Sequence, residues 1–431
     1  MKIIWQEQLN PNTIIIPSRL QKDFESEDIQ VHIGSWKREM RIEFSKEVPR
    51  DTIILPEILD ENFILPSHLH YEVKLEDSNL YIGPVIGLLL SNTMEELDRI
   101  EEMDHYVNCY QDINGLVYVC SVDGININNQ TISGYYYDPS NQKSQWKNGT
   151  FPYPASFYRR CFIPEEIMEA LQNVVGKNHM FNEKYYHKWK LYELLKQHEQ
   201  IRDYLPDTIL FTKIADLFHM LDKYTSVYLK PIGGTYGDGI VKMVKTNKGY
   251  HYINKSGKLL PLLTKKDVVK YIIKNYRIGS YIVQQDVGYQ MEKKNIDFRI
   301  VMQKNRKKKW ICTAFIARYG RKNKIYTNDP SEVHQGRLAL QDMFQLAEEE
   351  AMLTEYEIIS ICVELGKVFD QFGHYADIGI DIAIDKNMNI WILEVNHLYH
   401  DHDMAAYLEN LETYESVLST LLHYLKTLAG Y

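Results

Sequence analysis

Three groups of residues in this 431-residue chain have the types and spacing to do chemistry. The first is Tyr228-Leu-Lys-Pro-Ile-Gly-Gly-Thr-Tyr-Gly-Asp-Gly-Ile240, in which a strand delivers Lys230 and Pro231 fixes the exit. Gly233, Gly234, Gly237 and Gly239 then permit tight backbone turns. Such a loop aims backbone N–H groups at phosphate oxygens while Lys230 supplies a point charge. No Gly-Lys-Ser/Thr follows the glycines, so this is not a P-loop, and an ordinary β-hairpin turn is the plain alternative.

The second group runs from Asp377 to Asn396, where two apolar runs flank Asp385-Lys-Asn-Met-Asn389 and read as a β-hairpin. Strand alternation puts Glu394 and Asn396 on one face, with Ile390 and Ile392 preceding them along it, and Asp381 on the partner strand can face the same way. Two carboxylates and an amide oxygen converging there suit a hard cation such as Mg²⁺, which also takes oxygens from substrate phosphates. Solvent-facing acids are the alternative, but both acids sit in near-continuous apolar runs where an unpaired charge is costly. The third group is Asp297-Phe-Arg299 with Ala317-Arg318. Each arginine lies in or at the end of an apolar strand and needs an anionic partner, carboxylate or phosphate, that a forked guanidinium fits.

The elements that must position these groups are mixed. Short β segments fill the first 90 residues: Thr13–Ile16, Gln30–Ile33, Met40–Phe44, Thr52–Leu55 and Tyr71–Leu75. A helix is expected from Thr93 to about Tyr110, with Thr93 as cap and Glu96 three residues on. A strand at Leu116–Val122 and a polar loop-and-hairpin stretch to about Thr150 follow. Helical spacing covers Tyr185–Tyr204, then Lys213–Leu221, Lys265–Asn275, about Thr354–Phe372 and about Asp403–Leu428. Strands are expected at Ile209–Phe211, Ser226–Lys230, Tyr281–Gln285, Phe298–Gln303, Trp310–Ala317 and Ile380–Ile384. The fold class is α+β, and Arg306-Lys-Lys-Lys309 reads as an exposed hairpin turn.

Composition narrows the function classes. Hydrophobic residues make up 45% and charged residues 25%, which excludes wholesale disorder. The 49 basic and 58 acidic residues give a charge of -9, which argues against non-specific binding to nucleic acid or an anionic membrane. No apolar run reaches the roughly 18 residues of a membrane helix, and the start, Met-Lys-Ile-Ile-Trp-Gln-Glu-Gln, turns polar too early for a secretory signal. Five cysteines, none in a CxxC pair, suggest neither a disulfide framework nor a thiolate zinc site, and Cys312 and Cys362 read as buried inert thiols. A cytoplasmic location fits.

In order, the Lys-Pro and glycine loop, Val283-Gln-Gln285, Asp297-x-Arg299 and Asp381…Glu394-x-Asn396 resemble the ATP-grasp superfamily over about residues 180–400. A narrower resemblance is to the YheC/YheD family of spore-coat-associated ATP-grasp proteins of Bacillus and its relatives. Its phrases are Tyr81-Ile-Gly-Pro-Val-Ile-Gly87, Phe151-Pro-Tyr-Pro, Tyr158-Arg159, Phe181-Asn182 and Tyr204-Leu-Pro-Asp-Thr208.

The resemblance implies two α+β lobes gripping ATP over residues 176–431, preceded by a β-rich domain at 1–90 and a small α/β domain at 91–175. It implies phosphorylation of a carboxylate by ATP, then attack of an amine to give an amide, ADP and phosphate. Substrates would be small-molecule or peptide carboxylates and amines. A homo-oligomer and spore association would fit, and nucleic acid or membrane partners would not. Lys188, with Lys190 as fallback, and Lys230 would bind phosphates. Gly233, Gly234, Thr235 and Gly237 would form the loop over ATP, and Gln284, Gln285 and Val287 the adenine hinge. Arg299, Arg318 and Lys230 would be catalytic, and Asp381, Glu394 and Asn396 would bind two Mg²⁺ ions, or Mn²⁺. A nucleotide-binding structural protein and a phosphotransferase are the alternatives.

Two departures from the family pattern stand out. After Asn396 the chain reads His-Leu-Tyr-His-Asp-His-Asp403, and His397, His400 and His402 are expected in a solvated loop or substrate wall, with a metal site as the alternative. Arg337 replaces a glycine that would let substrate approach the backbone, which puts the acceptor pocket in doubt.

Overall fold

The structure, a computed structural model, describes residues 2–24, 26–77, 79–97, 100–140, 145–234, 237–262, 264–408 and 410–431. The five short β segments of the first 90 residues join two further strands, Lys2–Gln6 and Asn79–Gly83, in one mixed seven-stranded sheet. The apolar run near Ile82–Leu90 becomes the strand Val85–Ser91, buried on both faces between parallel neighbours Leu116–Asn126 and Ser156–Arg159. A strand covered on both sides needs a continuous rather than an alternating apolar sequence. The hairpin Thr131–Tyr137 and Trp146–Pro152 extends this second sheet on one side, and Met180–Phe181 on the other.

The single helix expected after Thr93 does not form. Two 3₁₀ segments, Met94–Leu97 and Ile100–Val107, and one α-turn, Tyr110–Ile113, take its place, with residues 98 and 99 outside the described residues. Glu96 still caps, its carboxylate accepting the Asn92 N–H at 2.8 Å. The acidic stretch that follows offers too few apolar side chains to hold a long helix on the sheet, so short tight turns bring Leu97, Tyr106 and Tyr110 to the core.

Two antiparallel sheets carry the chemistry-bearing groups. The order in one is Thr208–Leu210, Tyr281–Gln285, Ser226–Pro231, Val241–Thr246, Gly249–Asn254, Leu259–Leu262. Helices Ile214–Tyr224 and Lys265–Asn275 cover one face of it, making a core of Leu217, Leu221, Val227, Leu229, Val268 and Ile272 that is drawn wholly from this lobe. The other face, carrying Lys230, Ile282 and Gln284, is left for the cleft.

The order in the second sheet is Pro330–Gln335, Trp310–Gly320, Lys294–Lys304, Asp377–Ile384, Ile390–Asn396. Phe298, Ile300, Ile380 and Ile382 face the helices Gly336–Phe344 and Glu348–Phe369. On the opposite face, Val301, Ala314 and Ile316 are covered by the C-terminal helix Leu411–Leu428. Beyond that helix the same face carries Asp297, Arg299, Arg318 and Asp381. The C-terminal helix also packs on the second sheet through Ile86, Leu88 and Phe181, joining the amino-terminal region to the carboxylate-bearing sheet. No helix among the described residues is long and apolar enough to cross a membrane.

Boundary shifts elsewhere follow local chemistry. The helix expected from Tyr185 starts at Lys188, capped by the His187 side chain, and ends at Leu195, before a short turn of helix at Glu199–Arg202. The helix expected from Thr354 begins earlier, at Glu348, where three glutamates face the positive end of its dipole. At the C-terminus a 3₁₀ turn, Asp403–Tyr407, is separated from Leu411–Leu428, which Asn410 caps by accepting the Thr413 N–H. Arg306–Lys309 is the exposed hairpin turn the charge run predicted.

Candidate functional site

A cavity of about 340 Å³ lies between the two antiparallel sheets. Lys230, Ile282 and Gln284 line it from one sheet, Arg299, Asp381, Glu394 and Asn396 from the other, and Lys188 from the first turn of its helix. Lys188 Nζ stands 2.7 Å from Glu394 Oε1 and 3.3 Å from the Gly234 carbonyl oxygen. Lys190, the fallback, is exposed. Lys230 Nζ donates to Gln284 Oε1 at 2.5 Å, and Gln284 Nε2 donates to Thr208 Oγ1 at 3.1 Å. Burial lowers the Lys230 pKa, against the pull of Glu394.

Asp381, Glu394 and Asn396 do share a face, but not by simple alternation. Asp381 pairs with Glu394 while the next residue, Ile382, pairs with Ile392, so Leu393 is an extra residue in a β-bulge. Ile390 and Ile392 therefore face the core with Ile382 and Val395, opposite to Glu394 and Asn396. The expectation that the two isoleucines precede the ligand pair along one face is corrected by this bulge, which turns the end of the strand toward the cavity.

The two arginines are already engaged. Arg318 donates through Nε and Nη2 to Asp297 at 2.7 Å each, and Nη2 is 3.1 Å from Asp381 Oδ1. Arg299 donates to the same Asp381 at 2.6 and 3.3 Å. Burial opposes the charge on Asp381, but Arg299 and Arg318 outweigh it and hold its carboxyl below the usual range. Burial likewise opposes the charge of Arg318, and Asp297 and Asp381 more than restore it. The Thr327 hydroxyl donates to Asp297.

Of the glycine loop, Gly234 and Gly237 line the cavity with φ of +113° and +71°, where a side chain would be strained. Thr235 lies outside the described residues. Gly233, Gln285 and Val287 are not among the described residues that line the cavity. The Gln285 N–H is taken by the Asp207 carbonyl at 2.8 Å, because the strand Thr208–Leu210 pairs along that edge. Sequence reasoning did not single out Lys242, whose Nζ is 2.6 Å from Asp286 and which lies over the Tyr228 ring beside Lys230, though it is not among the described lining residues. Its alternation with Val241 and Met243 was the available signal. Arg337 pairs with Glu355 on the long helix and is not among the described lining residues.

The histidine loop is not solvated. His397, His400 and His402 are all buried. His397 accepts the Tyr186 N–H at Nε2 (2.9 Å), contacts the Val395 carbonyl through Nδ1 (3.2 Å) and stacks on Tyr185. Burial lowers its pKa to about 4, so it is a neutral clamp at pH 7.

Residues 177–428 match the family model described as YheC/D like ATP-grasp. The chain belongs to that family. Its fold is accordingly ATP-grasp, with a β-rich amino-terminal region ahead of it. Over 427 residues it is 23% identical to the endospore coat-associated protein YheD of Bacillus subtilis (strain 168), covering 91% of this chain and 89% of that protein. Over 266 residues it is 24% identical to the endospore coat-associated protein YheC of the same strain, covering 59% and 72%. It is also similar to the ATP-grasp ligase PsnB complexed with minimal precursor, Mg and ADP, at 10% identity and a TM-score of 0.44, covering 80% of this chain and 98% of that one.

Proposed function

We propose that this ATP-grasp chain is a Mg²⁺-ATP-dependent ligase that joins a carboxylate to an amine. The observation that carries the reading is the convergence of two lysines with two carboxylates and an amide on one cavity. The pairs Lys188–Glu394 and Arg299–Asp381 neutralise one another within the protein. Magnesium-bound ATP would supply the complementary charges. Lys188, Lys230, Arg299 and Arg318 would be the partners of phosphate oxygens, and Asp381 and Glu394 those of the metal, so that no charge in the cavity need be left unmet.

The donor set fits the ion. Asp381, Glu394 and Asn396 offer hard oxygen ligands, Asp381 and Glu394 from register-paired positions on neighbouring strands and Asn396 two residues on, opposite Gly379. Bound there, Mg²⁺ would neutralise charge on the phosphates. Lys188 and Lys230 would bind and orient the phosphate chain, with Gln284 at the adenine end. The backbone of Gly234 and Gly237, with Thr235 and Gly233, would close over it. Gln285 and Val287 would reach adenine only once the lobes close. Arg299 would meet the transferred phosphoryl group, and Arg318 would hold Asp381 while offering its remaining donors. Phosphoryl transfer to a carboxylate gives an acyl-phosphate, and an amine attacks its carbonyl carbon to release phosphate. Closure of the lobes would exclude the water that would compete.

Similarity to two endospore coat-associated proteins favours a second reading, a nucleotide-binding coat component without turnover. One experiment separates them: ADP release over pooled amino acids and short peptides, with product mass read in the same tubes and Glu394→Ala as control. A ligase gives substrate-dependent ADP and phosphate and a product one water lighter than its parts, all silent in the variant. Magnesium-dependent ATP binding with no pool raising turnover sinks the ligase reading and favours the coat component.

A further inference from the structure

His400 and His402 have no role in the ligase reading, and both converge on a carboxylate at the edge of the site. Asp377 opens the strand Asp377–Ile384 and is fully buried. Its Oδ2 accepts from the Tyr158 hydroxyl at 2.7 Å, and its Oδ1 from the Gln303 amide at 2.9 Å. His402 Nε2 lies 3.1 Å from Oδ2 and 3.3 Å from Oδ1, and His400 Nε2 lies 3.1 Å from Oδ1.

We propose that Asp377, His400 and His402 bind a divalent transition ion of the zinc class, at a site separate from the Mg²⁺-ATP site. Two imidazoles and one carboxylate are a donor set for zinc and its neighbours, whereas Mg²⁺ selects oxygen alone. The donor atoms lie within 4.8 Å of one another. A four-coordinate ion with bonds of about 2.0–2.1 Å spaces its ligand atoms by roughly 3.3 Å, close to the imidazole–carboxylate distances here.

Three further observations point the same way. The His400 side chain is 1% exposed, its Nε2 approaches Asp377 Oδ1 at 3.1 Å, and its Nδ1 has no hydrogen-bond partner among the described residues. A buried imidazole so incompletely partnered calls for a further partner, which a bound ion on Nε2 supplies. His402 Nδ1 lies 2.9 Å from the Tyr106 hydroxyl, an outer contact of the kind that orients a ligating imidazole. Room for His400 comes from Gly379, where a Cβ would stand 2.9 Å from His400 Cβ and Cγ. Arg160, the neighbouring cation, donates to the His400 carbonyl oxygen at 2.7 Å and to the Tyr106 hydroxyl, neither of which is a proposed ligand.

The ion would pin the 397–402 loop to the start of the strand and, through Tyr106 and Tyr158, to the amino-terminal region. Because His400 and Asp401 line the cavity, the wall facing the acceptor would be set by the metal.

The test strips the full chain with a chelator, adds ZnCl₂ or CoCl₂, and desalts. Retained metal is measured by mass spectrometry, cobalt coordination by visible absorption, and melting temperature in parallel. One retained ion per chain is expected, with visible cobalt bands of low coordination number and a raised melting temperature. His400→Ala and His402→Ala should abolish retention, Glu394→Ala should keep it, and Gly379→Ala should weaken it tenfold or more without touching a donor. Retention lost in Glu394→Ala but kept in His402→Ala would place the ion at the ATP site and overturn the proposal. If the histidine variants fail to fold, the wild-type chain decides: no retained ion, or cobalt with the spectrum of the hydrated ion, equally overturns it.

Discussion

Arg318 is the largest of the almost wholly buried side chains, and two carboxylates share it. Replacing it with methionine leaves Asp381 with Arg299 but takes from Asp297 the guanidinium that pairs it out of water, and such a loss costs about 3–5 kcal/mol. Urea denaturation should read that drop at pH 7, and Asp297→Asn added to Arg318→Met should recover part of it. At this scale the Lys-Pro-Gly loop and the pattern Asp381…Glu394-x-Asn396 were legible in sequence, because residues carried by neighbouring strands must meet. Of the Asp377 cluster, His400 and His402 were noticed, with a metal site as the alternative to a solvated loop, but their convergence on Asp377 was not. Its carboxylate stands at the end of an apolar strand, and its neighbours Tyr106, Tyr158 and Gln303 come from distant segments that no local pattern links.

Elements set how tightly the site is held. In the long helix, Gly366 lies against Trp310, and a Cβ there would stand 2.7 Å from the indole ring. The ring cannot swing aside easily, since Nε1 donates to Asp370 at 3.1 Å and Lys304 lies over its face. Gly366→Ala should therefore destabilise by about 1–3 kcal/mol, as overpacking does, despite the better helix propensity of alanine. A pH effect belongs to the joint between the C-terminal helix and the second sheet. There His374 packs against Phe181 and meets the Tyr424 hydroxyl at 2.7 Å. Burial first, and Lys304 next, lower its pKa from 6.5 to about 4. The unfolded chain thus gains the proton first as pH falls, and stability drops from about pH 6.5 toward 4. Denaturation midpoints across that range should slope, and His374→Asn should make the slope shallower, the buried His397 contributing the rest. Most strands were legible through turn residues and alternation, but the bulge at Leu393 was not. A period-two reading has no term for an inserted residue, and only the partner strand reveals one.

At the scale of the molecule, the cores are unequal in independence. The core under the C-terminal helix draws Ile86, Leu88, Tyr158 and Phe181 together with Val301, Ala314 and Ile316, so the amino-terminal region and the carboxylate-bearing sheet should melt as one unit. The lysine-bearing lobe keeps its own core, between Phe211 and Val283. Calorimetry of the full chain should resolve two transitions, and ATP with Mg²⁺ should raise the lobe's transition and narrow the gap. Glu394→Ala should remove that response. The two events also differ optically. All six tryptophans, Trp5, Trp36, Trp146, Trp189, Trp310 and Trp391, lie outside that lobe. Tryptophan emission is therefore blind to the lobe's melting, while tyrosine emission and circular dichroism record it. Trp189, beside Lys188 and stacked on Tyr192 at the cavity, is placed to report the lobe's closure from the far bank as a change in colour rather than in fold.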